Sequence, residues 1–458
     1  MGIKLAYRLN DKPRSLLDAV VYSLQWMMIM IYPVVWGYAI VGVGLGFTGA
    51  DFSGYMGRVV LIIGVTTLVQ ATCGHRFAMA TGPNIIPSTA IMVAFGLGGR
   101  ELAYEAMNAY IFAGIFIAIF GAMGLVSLIG RVWTPLVQGC MTMMVGLYTS
   151  GLAMNMILGR EYSWWLYAGL AQALICGWLS IKGKGFLATI PVLVSVVFGY
   201  TVFIAAGDFD WKLVHEMPFF AVPQIMPYGW EMPSFSMIAA MCVVNIFAAV
   251  KNYGMISGYS TLVDKKMTLN DERRTFTIFG LVDGAVASLF GTPSTVSYGE
   301  NMGILLLTRV AARIFIILAA IGFIIMSFFG KMGGMMAAMP PPVAGAVLLG
   351  VASTLIGIGA GIWHSEGKTL GTREIFITGF SVFFALGIYH ASDSFFASIP
   401  TLASMTLGNP IVSVTICAIL MEQVVMRKKG PKFMPPEPAN ICQPKNAESG
   451  HGSAKQQD

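Results

Sequence analysis

Residues 291–309 read GTPSTVSYGENMGILLLTR, and how this stretch is read decides the fold. It lies among long apolar runs, yet Thr292–Gly299 has the composition of an extended segment. Pro293 lacks the amide that a helix would use, Ser and β-branched residues follow, and Gly299 permits a sharp turn. Glu300 and Asn301 then open a short apolar helix that ends at Thr308-Arg309. At 1.5 Å per residue, such a helix crosses about half of a ~30 Å hydrocarbon layer. Interrupted backbone at that depth needs hydrogen-bond partners and is tolerated where it lines a cavity. A carboxylate and an amide at the first turn of a half-helix therefore mark a site for a polar ligand.

Composition supports a membrane setting. The chain has 458 residues, of which 56% are hydrophobic and 11% charged, and its mean hydropathy is +0.73. Soluble domains carry about 25% charged residues, so this chain is expected to be an all-α polytopic protein with the lipid bilayer as its main partner. The start is polar and basic, and its apolar run continues too long for a cleavable signal. The net charge of +6 is spread over loops and tail, which gives no nucleic-acid footprint. Cys73, Cys140, Cys176, Cys242 and Cys417 fall in or beside apolar runs and Cys442 in the tail, with no C-x-x-C pair and no metal spacing. Neither a nucleotide-binding loop nor a nucleophile elbow is present, so no enzyme is expected and no cofactor.

Fourteen apolar segments are expected. They lie near residues 16–41, 58–73, 81–97, 104–130, 135–158, 164–181 and 186–206, then 234–257, 274–290, 292–309, 311–329, 342–362, 374–389 and 395–426. This divides the chain into a basic leader (1–15), a seven-segment repeat (16–206), an extracytoplasmic loop (207–233), a second repeat (234–426) and a disordered tail (427–458). Clusters such as Lys182/Lys184, Lys265/Lys266 with Arg273/Arg274, and Arg427/Lys428/Lys429 fall on one side of that count. By the positive-inside rule both termini are cytoplasmic, in a plasma (inner) membrane.

A second interruption, His75–Asn84, precedes a helix restarting at Pro87-Ser88. It is the third segment of its half, as 292–309 is of the other. Paired breaks at matching positions point to an inverted-repeat transporter with its site at the midplane.

The motif Glu300-Asn301-x-Gly303-x-x-x-x-Thr308-Arg309 resembles the signature of the nucleobase–ascorbate transporters (nucleobase:cation symporter family 2, the xanthine/uracil permeases). Tyr298-Gly299-Glu300-Asn301-x-Gly303 is most similar to the bacterial uracil permease branch. Asp283-Gly284, Pro340-x-Pro342-Val343-x-Gly345 and Ser23-Leu24-Gln25 match in the same order, so the resemblance runs from residue 13 to about 426. It implies a 7+7 inverted repeat with core and gate domains, and short strands in broken segments three and ten that meet across the site. It also implies a homodimer, and uptake of a nucleobase such as uracil or xanthine by symport with a proton or sodium ion.

Glu300 is the first substrate-binding candidate, because one carboxylate takes two N–H bonds from a heterocycle and a helix N-terminus favours its charge. The plainer reading is a helix cap. Gly299 and Tyr298 match family positions beside the ligand. Asn84 presents an amide to substrate or forms a turn. Lys251 stands where the family carries an acidic residue, so it binds substrate, pairs with Glu300 or snorkels to water. Ile85 replaces an aromatic, and Trp26 a histidine, of the uracil permeases. Asn301, Gln25, Asp283, Thr308 and Arg309 are candidates for support or coupling, Asn301 by bridging to its neighbours and Asp283 by a structural hydrogen bond. The lysine also opens a second reading, a carrier of this fold for a small organic or inorganic anion recognised through Lys251.

Overall fold

The computed structural model describes residues 5–126, 133–159, 163–364 and 371–427, so the expected tail lies outside it apart from Arg427. In the first half, α1 (Leu16–Ile29) begins at Ser15, whose hydroxyl accepts the Asp18 amide. It continues through α2 (Ile31–Gly37) and a π-helical turn at Tyr38–Val43. Helix α3 (Gly49–Thr72) leads to strand β1 (Thr81–Pro83), then α4 (Ile85–Ala122). α4 breaks at Gly98-Gly99, where Gly99 has φ +68° and ψ −156°, a conformation open to glycine. That kink separates expected segments three and four. Helices α5 (Pro135–Leu158), α6 (Trp165–Lys182) and α7 (Pro191–Ala205) follow.

The second half repeats the pattern. Helix α8 (Phe235–Leu262) is capped by Ser234, and α9 (Leu269–Ile278) by a reciprocal Thr268–Asp271 box. α9 runs into a π-helical stretch at Phe279–Val286 that carries Asp283. Strand β2 (Thr295–Ser297) and the nine-residue α10 (Glu300–Thr308) form the broken segment, as its sequence requires. Then come α11 (Arg313–Ser327), α12 (Pro341–His364), α13 (Thr372–Tyr389), α14 (Thr401–Leu407) and α15 (Pro410–Leu420).

The last expected segment is not straight. Its two halves meet at 88°, because Pro410 supplies no amide and Asn409 caps the new helix. Among the described residues, seven helices are long and apolar enough to cross a membrane, or eight if this bent pair is one span. The fold is thus an all-α membrane fold. The expectation of fourteen crossings exceeds that number because several of its segments, α7 and α11 among them, are short helices.

Packing sorts the helices into two groups. α4 packs on α8 and on the π-helical stretch, and α3 on α11. α5 and α6 pack on α12, and α13 on α15. These are the two groups between which the core and gate division implied by the resemblance would run. The leader does not hang free: Ala6 N–H donates to Arg309 O at 2.8 Å, Ala311 N–H to Tyr7 O at 2.9 Å and Arg313 N–H to Leu9 O at 3.2 Å.

Candidate functional site

The two interruptions meet. β1 and β2 pair antiparallel, with Thr81 opposite Ser297, Gly82 opposite Val296 and Pro83 opposite Thr295. Pairing continues beyond them, from Asn84 N–H to Ser294 O at 2.8 Å and from Tyr298 N–H to Ala80 O at 3.2 Å. Each short strand thereby satisfies the backbone that the other exposes at membrane depth.

A polar scaffold backs the strands. The Thr81 hydroxyl sits 2.6 Å from that of Thr66 and 3.0 Å from that of Thr67 on α3. Asp283 is fully buried and accepts from Gln70 Nε2 and Thr295 Oγ1, each at 2.7 Å. Asn252 Oδ1 on α8 accepts the Ser297 amide at 3.1 Å. Asn301 spans the crossing: its Oδ1 accepts Ala80 N–H at 3.0 Å, and its Nδ2 donates to Ala80 O at 3.0 Å and Tyr298 O at 2.7 Å.

The other face carries the titratable groups. Gly299 is the N-cap residue of α10, and Glu300 stands in the first turn, half-buried. Lys251, half-buried on α8 one residue before Asn252, lies within electrostatic reach of Glu300. Among the described residues the two make no contact ion pair within 4.0 Å. Tyr32 on α2 adjoins Glu300, and its ring meets Tyr298 edge-on at 5.7 Å. The Tyr298 hydroxyl donates to Pro83 O at 2.7 Å. A Cβ at Gly82 would stand 2.9 Å from the Tyr298 ring, so glycine lets the tyrosine lie over β1.

Asn84 caps α4, with Oδ1 accepting the Ile86 amide at 3.2 Å, while its fully buried Nδ2 has no partner among the described residues. Ile85 is buried beside it. Two half-helix N-termini, α4 and α10, therefore start at the strand crossing, which is the arrangement that binds polar groups.

The remaining candidates lie elsewhere. Gln25 Nε2 donates to Thr189 Oγ1 at 2.8 Å, joining α1 to the turn before α7. The Thr308 hydroxyl donates to Ile304 O at 2.9 Å. Arg309 is exposed, with φ +58°, and ends α10. Sequence reasoning passes over Tyr32, Gln70 and Asn252. Gln70 and Asn252 carried a signal, since each is an amide inside an apolar helix. No group of three or more His, Cys, Asp or Glu among the described residues could hold a metal.

Comparison with known proteins agrees with this architecture. A model of the Permease family matches residues 17–393. The uric acid transporter UacT of Escherichia coli (strain K12) is 24% identical over 435 residues, 90% of this chain and 88% of that protein. A uracil permease of Bacillus subtilis (strain 168) is 28% identical over 314 residues, 66% of each. Among solved structures, the transmembrane domain of the cyanobacterial bicarbonate transporter BicA superposes with a TM-score of 0.56 at 15% identity, covering 90% of this chain and 99% of that one. That likeness concerns the fold.

Proposed function

This chain belongs to the Permease family, and from that premise we propose that it is a secondary active carrier of a nucleobase, such as uracil or xanthine, or of a related heterocycle. The observation that carries the reading is Glu300 at the start of a half-helix, within electrostatic reach of Lys251 beside the paired strands. A heterocycle offers N–H donors to the carboxylate, while its carbonyls accept from Lys251 and from the free Asn84 amide. Tyr298 and Tyr32 supply apolar ring surface beside these polar groups. With one cation and one anion the site is near neutral before it binds, which suits a neutral heterocycle. Transport is coupled to a proton or sodium ion. The carrier works in the plasma membrane as a homodimer with both termini cytoplasmic.

A second reading rests on Lys251: the same fold would carry a small anion held by the lysine and the helix N-termini. A thermal-shift screen of the purified protein against purines, pyrimidines and small anions separates the two. Stabilisation by a purine or pyrimidine supports the first reading. A response confined to anions supports the second.

A further inference from the structure

The docked leader builds a groove against the start of α11. It is about 350 Å³ in volume and is lined by Leu9, Asn10, Asp11, Lys12, Thr72, Arg313, Ile314 and Ile317. Its lining is mixed in chemistry. It includes the Lys12 and Arg313 side chains, neither of which has a side-chain partner among the described residues. Asp11 offsets one of these charges in part, but its Oδ2 already accepts the Arg8 amide at 2.7 Å. Arg8 and Arg14 stand nearby on the leader, Arg14 lying 4.5 Å over the Tyr7 ring. The local balance is positive.

The apolar part of the lining includes Ile314 and Ile317 of α11. From Ile314 and Ile317 the stripe continues through Leu318, Ile321 and Ile325 at helical spacing, and these three are 39%, 40% and 57% exposed. On α1, which packs against α11, the exposed residues Leu16, Leu17, Val20, Val21 and Leu24 begin just after Arg14. Lys12 and Arg313 therefore sit at the depth where exposed surface changes from charged to hydrocarbon-like.

We propose that this groove binds one anionic phospholipid, its phosphate between Lys12 and Arg313 and an acyl chain along the Ile314–Ile325 stripe. A point charge and a guanidinium flanking one anion, with an apolar track leading away, match a headgroup joined to a chain. A bound lipid would also hold the leader to the end of α10, the half-helix that carries Glu300, through the backbone bonds at Arg309 and Ala311.

The test titrates the detergent-solubilised full chain with short-chain phosphatidylglycerol, short-chain phosphatidylcholine and inorganic phosphate. Phosphatidylglycerol should bind, and phosphatidylcholine should bind more weakly. Lys12→Gln and Arg313→Gln should each weaken phosphatidylglycerol binding about fivefold, the effect of one basic residue at a membrane surface. Ile321→Asn should weaken it as well. Lys12 is exposed, so K12Q keeps the test decisive if R313Q fails to fold. Equal binding of the two lipids, an unchanged affinity in K12Q, or displacement of the lipid by millimolar phosphate would each overturn the proposal.

Discussion

The Asn301 side chain bonds to both the amide and the carbonyl of Ala80, at 3.0 Å each. One amide thus ties the first turn of α10 to the residue before β1, and Ala80 is buried. Its removal leaves the buried Ala80 N–H without its acceptor at the crossing, while Ala80 O keeps the Tyr298 N–H. Asn301→Ala should lower the thermal midpoint of the purified protein and weaken substrate binding together, at a cost of about 1–3 kcal/mol per orphaned group. Asn301→Ala with an unchanged midpoint and affinity would remove this residue from the site's support.

Asp283 accepts one hydrogen bond on each carboxylate oxygen, from Gln70 and from Thr295. In Asp283→Asn one acceptor oxygen becomes an amide nitrogen, so either Gln70 or Thr295 loses the acceptor it donates to. The substitution should destabilise the protein by about 1–3 kcal/mol while keeping side-chain volume. Asp283→Asn combined with Gln70→Glu restores a donor–acceptor match and should recover part of that loss. Thermal unfolding of both variants checks this, and no recovery would mean the pair is not coupled.

Lys251 is the main position at which this chain departs from the pattern its signature resembles. If it takes part in recognition, Lys251→Met should weaken binding of the native substrate about tenfold, as loss of a bond to a charged group does. Lys251→Glu should abolish that binding, because it sets two carboxylates against one another. Titration calorimetry on the three proteins measures this. Equal affinities would mark Lys251 as a lysine that only reaches toward water.

Much of this was legible in the chain itself, and the reasons are physical. Pro293, Gly299 and the shortness of the following apolar run require a broken segment, and β2 followed by α10 is what forms. The matching break at His75–Asn84 likewise gives β1. Pairing of the strands was accessible through the family resemblance, since nothing local specifies a partner about 200 residues away. The bend at Asn409 was hidden because Pro410 lies inside a run apolar enough to read as one helix. Docking of the leader was hidden for a related reason. Backbone bonds from Ala6, Ala311 and Arg313 leave no trace in side-chain pattern. Tyr32 escaped notice because a tyrosine in an apolar helix looks the same whether it packs or faces a carboxylate.

The proposed orientation makes a separate prediction. Single cysteines placed in the loop Gly207–Pro233 of intact cells should react with a membrane-impermeant maleimide. Cysteines placed after Lys432 should react only once the membrane is opened. The reverse pattern would turn the protein over and move the Arg/Lys clusters to the outside.

The central claim is that Glu300 binds a nucleobase that the protein carries. Counterflow in proteoliposomes tests it most directly, with labelled uracil, xanthine or uric acid outside and the same compound unlabelled inside. The wild type should accumulate label from at least one of these by exchange, and Glu300→Ala should not, as a ten- to hundredfold loss of affinity empties the site. Exchange of small anions with none of the nucleobases, or nucleobase exchange undiminished in Glu300→Ala, would contradict the account.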